Sequence, residues 1–288
     1  EDVAFVAAAD VDGDGDLDLI ASMRRSDDFG WYENTNGDAS TFEKHEIDDE
    51  LGGRITWVGA ADIDRDGHVD PLVAWDNKIY WYENDGGRSP RFARREVTSD
   101  DFDDDVMSVI VADLDEDGDP DVAAVASPSH MSWFENGGGN FRERQITTSR
   151  VERPQALAVA DIDGDDHLDL VCVDEERVAW WEHRGQSQPT FSRRTITGVD
   201  FGRTVATADI DFDGHVDVIY GYSHGNEEIA WHQNNGAGDP SFTKHVITST
   251  VDFPSSLAVA DIDDDGDLDI VAGDAGHNSI VWYESVRC

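Results

Sequence analysis

Cysteine and positive charge are both scarce in this chain. Only two of its 288 residues are cysteines, Cys172 and Cys288, which is too few for a disulfide framework, so we expect both to be free thiols. Lysine and arginine total 21 against 64 aspartates and glutamates, a formal charge of −43. This acidic excess argues against nucleic acid or an anionic membrane as a partner and favours cations.

Long apolar runs and the common catalytic motifs are missing as well. No segment reaches the length of a membrane span and no signal peptide precedes Glu1, so we expect no membrane insertion and a mature soluble protein or an excised domain. We find no nucleophile elbow, P-loop, dinucleotide fingerprint or His/Cys metal cluster, and we therefore expect a noncatalytic protein. The 9 tryptophans and 12 phenylalanines nonetheless supply enough buried surface for a folded chain.

One sequence unit recurs every 48 to 52 residues, measured between successive Ala-Asp dipeptides. Each copy has an apolar segment, an Asp-rich stretch, a second apolar segment, an aromatic segment such as WYEN, and a segment that begins with Phe. Those Phe-led segments start at Phe42, Phe92, Phe141, Phe191 and Phe242. The repeats cover approximately residues 1–52, 53–103, 104–151, 152–199, 200–251 and 252–288.

Four short strands per repeat, with no helical periodicity between them, predict an all-β protein with one four-stranded propeller blade per repeat. A β-sandwich would not repeat its sequence at this period. The tryptophan of each aromatic segment is interpreted as packing between sheets rather than stacking on a sugar. We expect a single β-propeller domain over residues 1–288.

The sixth repeat stops after its third strand, so the sixth blade is expected to lack its outer strand. Two arrangements follow from this. One is a six-bladed ring closed by packing of the first and last blades, which we favour, and the other is a fragment of a longer array. In both, the strand around residues 280–284 offers an unpaired edge for self-association.

Six nine-residue segments, here called acidic loops 1 to 6, connect the first two predicted strands of each repeat. They are residues 10–18, 62–70, 113–121, 161–169, 209–217 and 261–269. Positions 1, 3, 5 and 9 are Asp in every loop, and position 6 is Gly except at Asp166. Asp and Gly also favour ordinary turns, but four Asp at fixed spacing in six copies predict a metal site.

The ligands in these loops would all be hard oxygens. Carboxylates at alternate positions converge on one point, position 7 adds a backbone carbonyl, and position 6 permits the sharp turn. Such a set suits Ca²⁺ better than Zn²⁺ or Mg²⁺, so we predict up to six calcium ions, one per repeat. The flanking strands, and a position 12 without Glu, distinguish the loops from a helical EF-hand.

The predicted metal-binding residues occupy positions 1, 3, 5, 7 and 9 of the loops. Histidine stands at position 7 in three loops, where the backbone is expected to bind the metal and the ring is interpreted as an exposed bystander. The set is Asp10, Asp12, Asp14, Asp16, Asp18, Asp62, Asp64, Asp66, His68, Asp70, Asp113, Asp115, Asp117, Asp119, Asp121, Asp161, Asp163, Asp165, His167, Asp169, Asp209, Asp211, Asp213, His215, Asp217, Asp261, Asp263, Asp265, Asp267 and Asp269.

A candidate ligand site is suggested by residues that depart from the repeat just before, or early in, the first strand of a blade. They are Arg54, Trp57, Arg153, Gln155 and Arg203. We expect them near the channel mouth opposite the acidic loops, where three arginines would suit a carboxylate or an acidic sugar. The alternative, which we favour, is that each arginine pairs with a nearby acid such as Asp105 or Glu152.

The pattern [AV]-x-D-x-D-x-D-G-x-x-D between two strands, together with W-Y-E-N and F-x-x-H-x-I, resembles the FG-GAP or VCBS repeat family, best known from the integrin α-subunit propellers. The resemblance covers nearly the whole chain. It implies calcium-binding loops between the first and second strands of each blade, and ligand binding at the opposite face or in grooves between blades. The family commonly has seven blades, and this chain has six repeats.

Three functions agree with this resemblance, because the family includes adhesion modules, fungal lectins and polysaccharide lyases. The first is a noncatalytic extracellular binding or adhesion module for glycan or protein. The second is a lyase in which Arg neutralises a uronate while Tyr or His removes a proton, and a Tyr/His pair near the arginines would favour it. The third is a structural segment of a larger surface protein. Calcium sites of this kind fill reliably outside the cell, so we expect an extracellular location.

Overall fold

The computed structural model describes residues 3–23, 28–51, 53–98, 102, 105–146, 151–185, 189–224 and 227–285. Within those ranges the chain forms 23 β-strands. A search of the same residues for a helix with the length and apolar character of a membrane span finds none.

The strands fall into six consecutive sheets. The first three sheets contain β1 (Val3–Ala9), β2 (Asp18–Met23), β3 (Phe29–Asn34), β4 (Phe42–Asp48); β5 (Ile55–Ala61), β6 (Asp70–Trp75), β7 (Lys78–Asn84), β8 (Phe92–Glu96); and β9 (Val106–Ala112), β10 (Asp121–Ala126), β11 (His130–Asn136), β12 (Phe141–Gln145). The last three contain β13 (Ala156–Ala160), β14 (Asp169–Val173), β15 (Arg177–His183), β16 (Phe191–Gly198); β17 (Gly202–Ala208), β18 (Asp217–Tyr222), β19 (Glu228–Asn234), β20 (Phe242–Thr248); and β21 (Pro254–Ala260), β22 (Asp269–Asp274), β23 (Ser279–Tyr283).

Each sheet is antiparallel with its strands in sequence order, which is the construction of a β-propeller blade. Five blades have four strands and the sixth has three, so the fold class predicted from the sequence is confirmed. The outer strands begin at the five phenylalanines that the repeat pattern indicated. Among the described residues β23 pairs with β22 alone, and its Ile280 is 80% exposed, while self-association through this edge stays a prediction.

The chain divides into two compact units, one ending at Gln145 and one beginning at Ile146. Unit 1 contains blades 1 to 3 and unit 2 contains blades 4 to 6. Within each unit the first strands of consecutive blades lie next to one another. We describe each unit by itself.

The apolar cores lie between neighbouring blades. Ile20, Phe29 and Trp31 of blade 1 pack with Val58 and Tyr82 of blade 2. Comparable clusters join blades 2 and 3 in unit 1, and blades 4 and 5 and blades 5 and 6 in unit 2. Each second strand therefore reads as a nearly continuous apolar run, because the packed sheets cover both of its faces.

The repeated tryptophans pack in these cores, as predicted, in the first four blades. Trp31, Trp81 and Trp180 belong to these clusters and are 2% exposed, and Trp133 of blade 3 is buried as well, at 3%. Trp231 is half-buried and stacks on His245 at 4.6 Å, whereas Trp282 on β23 is 46% exposed.

Cys172 is a free, buried thiol on β14, as predicted. Burial raises the pKa of this thiol, so it remains protonated and acts as a small apolar core residue. The prediction for Cys288 lies outside the described residues.

Candidate functional site

The six acidic loops all connect the first strand of a blade to the second and share one backbone geometry. The N–H group at position 6 donates to a carboxylate oxygen of the Asp at position 1, at 2.9–3.0 Å in every loop. This bond closes each loop around its acidic side chains. Asp166 follows the same pattern as the glycines, with the left-handed backbone (φ +70°) that the sequence required of it.

Position 4 is also left-handed in every loop, which the sequence did not predict. Its residues are Gly13, Arg65, Glu116, Gly164, Phe212 and Asp264, with φ between +59° and +75°. For residues with a Cβ this conformation costs roughly 1–2 kcal/mol. The closed loop imposes it, because neither arginine nor phenylalanine favours it.

Substitutions at Phe212 should measure this strain. We expect Phe212→Gly to be more stable than Phe212→Ala by about 1 kcal/mol, because the two differ only in the Cβ that position 4 disfavours. Urea unfolding of both variants at saturating calcium gives the difference directly. The opposite order, with Ala the more stable, would mean that the left-handed conformation at position 4 imposes no cost.

The Asp at position 9 is buried in every loop and holds two backbone groups. These residues are Asp18, Asp70, Asp121, Asp169, Asp217 and Asp269. One carboxylate oxygen accepts the N–H of position 2 and the other accepts the N–H of the residue at or just after the end of the blade's third strand, at 2.7–3.2 Å. Position 9 therefore connects the loop to the third strand.

Burial makes five of these six carboxylates costly to ionise, whereas the N–H of Ser285 lowers the pKa of the sixth, Asp269. Burial raises the pKa of Asp70, Asp121, Asp169 and Asp217 to about 7, although two N–H donors favour the charged form of each. Neighbouring aspartates of the same loop raise these pKa values further. A cation among the carboxylates would reverse this effect.

The residues present fit a divalent cation. Asp64 Oδ1, Asp113 Oδ1 and Asp163 Oδ1 are buried carboxylate oxygens without a hydrogen-bond partner, and buried polar atoms of this kind are rare without an ion or water. In loop 1, Asp10, Asp12 and Asp18 each bring a carboxylate oxygen within 4.8 Å of the other two. Oxygen-only donors on a short loop favour calcium.

The histidines at position 7 are less exposed than the sequence analysis predicted. His68, His167 and His215 are half-buried. Their rings lie against Gly86, Gly185 and Gly236, the glycine two residues after the end of the third strand, and leave no room there for a Cβ. Their rings therefore have a packing role.

The candidate ligand residues do not act as a set of free cations. Arg54 Nη1 lies 2.9 Å from Asp105 Oδ2 in unit 1, and Arg153 Nη1 lies 3.0 Å from Glu175 Oε1 in unit 2, so pairing with acids, the interpretation favoured above, describes both. The partner of Arg153 is Glu175 rather than Glu152.

The side chains of the two uncharged candidates, Gln155 and Trp57, contact residues close to them in the sequence. Gln155 Nε2 donates to the carbonyl groups of Arg153 and Pro154. Trp57 lies on β5 with its ring over Gly59.

Arg203 differs, because aromatic and hydroxyl groups surround it. Its guanidinium carbon lies 4.2 Å from the centre of the Phe253 ring, and its Nε donates to Ser223 Oγ at 2.8 Å. Phe201 lies beside His224, with ring centres 5.2 Å apart. Phe201 and Phe253 precede the first strands of blades 5 and 6, at the end opposite the acidic loops. We call these five residues the aromatic–arginine surface.

Sequence reasoning missed three buried asparagines that end the third strand of blades 2, 3 and 5. They are Asn84, Asn136 and Asn234, each 1% exposed. The sequence contained the signal, since the W-x-x-N segment repeats, but it did not show what the amide contacts.

Five of the six blades have four antiparallel strands, and an acidic loop joins the first two strands of every blade, which defines a repeat protein of the β-propeller class. An FG-GAP-like repeat model matches residues 10–73, 70–124, 115–172, 161–220 and 209–272, each match extending from one acidic loop to the second strand of the next blade. The chain therefore belongs to the FG-GAP-like repeat family.

Two solved structures show the same fold. One is an Agrocybe aegerita lectin described as recognising non-reducing terminal N-acetylglucosamine, with 18% identity, a TM-score of 0.65, and coverage of 92% of this chain and 73% of the lectin. The other is a luciferin-regenerating enzyme, with 12% identity, a TM-score of 0.53, and coverage of 90% and 80%. No curated protein sequence matches the chain.

Proposed function

We propose that this chain is a noncatalytic, calcium-binding module of the extracellular space that binds glycans through the aromatic–arginine surface. The calcium part rests on the acidic loops, where buried carboxylate oxygens lack partners and four of the buried position 9 aspartates have pKa values raised to about 7. Calcium would neutralise these clusters and hold the ends of the blades rigid. Calcium concentrations that fill such sites reliably are found outside the cell, and the extracellular location is proposed for this reason.

The aromatic–arginine surface is the observation that carries the ligand proposal. Phe201 and Phe253 are 37% and 39% exposed, and both have left-handed backbone, at φ +57° and +61°. Exposed phenylalanines beside a guanidinium group, at the end opposite the acidic loops, favour a binding role, since burial does not explain them. Aromatic faces suit the apolar faces of sugar rings, and the guanidinium of Arg203 suits sugar hydroxyl or carboxylate groups.

One structural neighbour supports a binding role, and the other is an enzyme with the same fold. The lectin shows that this fold can present a glycan site, and the luciferin-regenerating enzyme shows that it can also support catalysis. Below 25% identity neither assigns a ligand to this chain.

A glycan panel tests the proposal. Neutral and acidic polysaccharides should be tested for binding in calcium and again in EDTA, with ultraviolet absorbance followed for unsaturated products. We expect binding that requires calcium and no new absorbance. Absence of binding to every glycan would overturn the glycan proposal and favour a protein ligand or a structural segment.

A pair of phenylalanine variants localises the site. Phe253→Ala should weaken glycan binding about ten-fold or more, because it removes the ring on which Arg203 stacks. Phe212→Ala is the matched control, since Phe212 is 43% exposed with φ +59° but belongs to acidic loop 5. Equal affinity of the Phe253→Ala protein and the unmodified protein for the glycan would show that the glycan does not bind at the aromatic–arginine surface.

A polysaccharide lyase is the second candidate, because a histidine and a tyrosine lie close to Arg203 in the sheet. Tyr222 pairs with Gly202 across β17 and β18, and His224 follows Ser223, the hydroxyl partner of Arg203. Burial raises the pKa of Tyr222, which makes its phenolate a poor base near neutral pH. New absorbance from an acidic glycan, lost in a His224→Ala variant, would establish this activity in place of simple binding.

A further inference from the structure

Asn84, Asn136 and Asn234 each contact two consecutive acidic loops. The backbone N–H of each donates to the position 9 Asp of its own blade, and the side-chain Nδ2 donates to the carbonyl of position 2 in the loop of the preceding blade. The side-chain contact joins residues that are 72 or 73 positions apart in the sequence. Position 2 in turn donates its N–H to the position 9 Asp of that preceding loop.

In unit 1 these bonds form one continuous relay through three loops. Asp18 accepts from the N–H of Val11 at 3.0 Å, and the carbonyl of Val11 accepts from Asn84 Nδ2 at 2.9 Å. The N–H of Asn84 donates to Asp70 at 2.8 Å, and Asp70 also accepts from the N–H of Ile63 at 2.9 Å.

The relay then repeats itself one blade further along. The carbonyl of Ile63 accepts from Asn136 Nδ2 at 2.8 Å, and the N–H of Asn136 donates to Asp121 at 2.7 Å. Every residue in this path is at most 2% exposed. Water therefore cannot readily replace a bond that is lost.

Unit 2 contains one such asparagine link, between loops 4 and 5, and has serine at the corresponding position for loops 5 and 6. Asn234 connects Ile162 of loop 4 to Asp217 of loop 5, at 2.7 and 2.8 Å. In blade 6 the corresponding residue is Ser285, whose N–H donates to Asp269 at 2.9 Å. Serine has no side-chain amide that could donate to a preceding loop, so the asparagine link is not available between loops 5 and 6.

We propose that Asn84, Asn136 and Asn234 are positioning residues that couple calcium binding in consecutive loops, so that linked loops fill cooperatively. The proposal rests on the calcium-binding part of the proposed function. Ordering one loop around an ion fixes the peptide at position 2, and that peptide is the acceptor that holds the asparagine of the next blade. The next loop is then already ordered at its position 9 Asp and needs less free energy to close around its own ion.

Rearranging one loop alone is costly for the same reason. A loop that moved without its neighbour would leave a buried amide or carbonyl without a hydrogen-bond partner, which is unfavourable. Adjacent loops therefore change state together. By linkage, the effect is the same in both directions along the chain.

Glycine resonances allow each loop to be followed separately. Gly15, Gly67 and Gly118 occupy position 6, and each N–H donates to the position 1 Asp of its own loop, so each amide shift should report calcium in that loop. Selective ¹⁵N-glycine labelling and calcium titration give a midpoint for each one. The Asp12→Ala substitution removes calcium binding from loop 1. Asp12 is a predicted ligand and takes no part in the relay.

The expected result is a difference that depends on Asn84. With Asn84 present, Asp12→Ala should raise the calcium midpoint at Gly67 by about five-fold or more. With Asn84→Ser, which copies the serine of blade 6, Asp12→Ala should leave that midpoint unchanged. Any purely structural damage from Asn84→Ser is present in both arms and cancels in this comparison.

Asn34→Ser is the matched control. Asn34 ends the third strand of blade 1 and donates its N–H to Asp18 of its own loop at 2.8 Å. Unit 1 has no blade before blade 1, so within this unit the Asn34 side chain has no loop of a preceding blade to contact. The Asp12→Ala effect at Gly67 should persist at full size in this background. If the Asn84→Ser protein does not fold, Asn234→Ser with loop 4 inactivated by Asp163→Ala and Gly214 as the reporter makes the same test in unit 2.

Three outcomes would count against the proposal. The coupling is overturned if Asp12→Ala does not change the calcium midpoint at Gly67. It is also overturned if Asp12→Ala changes that midpoint equally with Asn84 present and with Asn84→Ser. Calcium binding stands in both cases. Glycine resonances that ignore calcium in the unmodified protein overturn calcium binding itself, and the coupling with it.

Discussion

EDTA should lower the melting temperature of this protein by roughly 10 °C or more at neutral pH. Each ion present at 100 times its dissociation constant stabilises the folded state by about 2.7 kcal/mol, and there are six loops with Asp at positions 1, 3, 5 and 9. Without the ions, four buried aspartates whose pKa values are raised to about 7 have no cation to balance them. One kcal/mol corresponds to a few degrees in a chain of this size.

Calorimetry in EDTA and in excess calcium measures this shift. Adding back calcium beyond the EDTA should restore the original melting temperature, and magnesium should restore less, because it releases its water less readily than calcium. Identical melting temperatures in calcium and in EDTA would contradict calcium binding by the loops, and with it the coupling through the relay.

Asp70→Ala should destabilise the protein by about 2–4 kcal/mol even in EDTA, where no ion is lost. Asp70 is fully buried, and its carboxylate accepts the N–H groups of Ile63 and Asn84. Alanine leaves both N–H groups buried and unpaired, at about 1–3 kcal/mol each, partly offset because a buried charge disappears as well. The position 9 Asp is therefore expected to support the fold independently of its role towards the metal.

Asp66→Ala provides the contrast within the same loop. Asp66 occupies position 5 and is exposed, so its removal in EDTA should change the free energy of unfolding by less than about 1 kcal/mol. In calcium both variants should lose the stabilisation from loop 2. Urea unfolding of the two proteins in each condition separates these effects, and equal losses in EDTA would show that the hydrogen bonds to Asp70 do not support the fold.

The fold could be predicted from the sequence because the sequence repeats. Strand order and the loop between the first two strands depend on local patterns that recur six times, and the start of each outer strand at phenylalanine recurs five times. The left-handed backbone of Asp166 was also predictable, because it replaces a glycine at a fixed position. These features are set by neighbours a few residues away.

The features that were missed depend on contacts distant in sequence. The acceptor of the Asn84 amide is Val11, 73 residues earlier, and no spacing rule indicates it. Arg153 pairs with Glu175 because the β14–β15 turn brings that residue to the start of blade 4. Arg65 and Phe212 showed no preference for a left-handed backbone, and their conformation is a property of the closed loop.

The contact between the position 7 histidines and their glycines sets a rule for exchanging blades between positions. A ring that lies against Gly86, Gly185 or Gly236 tolerates no side chain there, so histidine and glycine must be transplanted as a pair. Loop 1 obeys the same rule with Asp16 over Gly37. A designer who builds an idealised array from this chain can therefore treat blades 2, 4 and 5 as interchangeable modules at this contact, provided that each keeps both members of its pair.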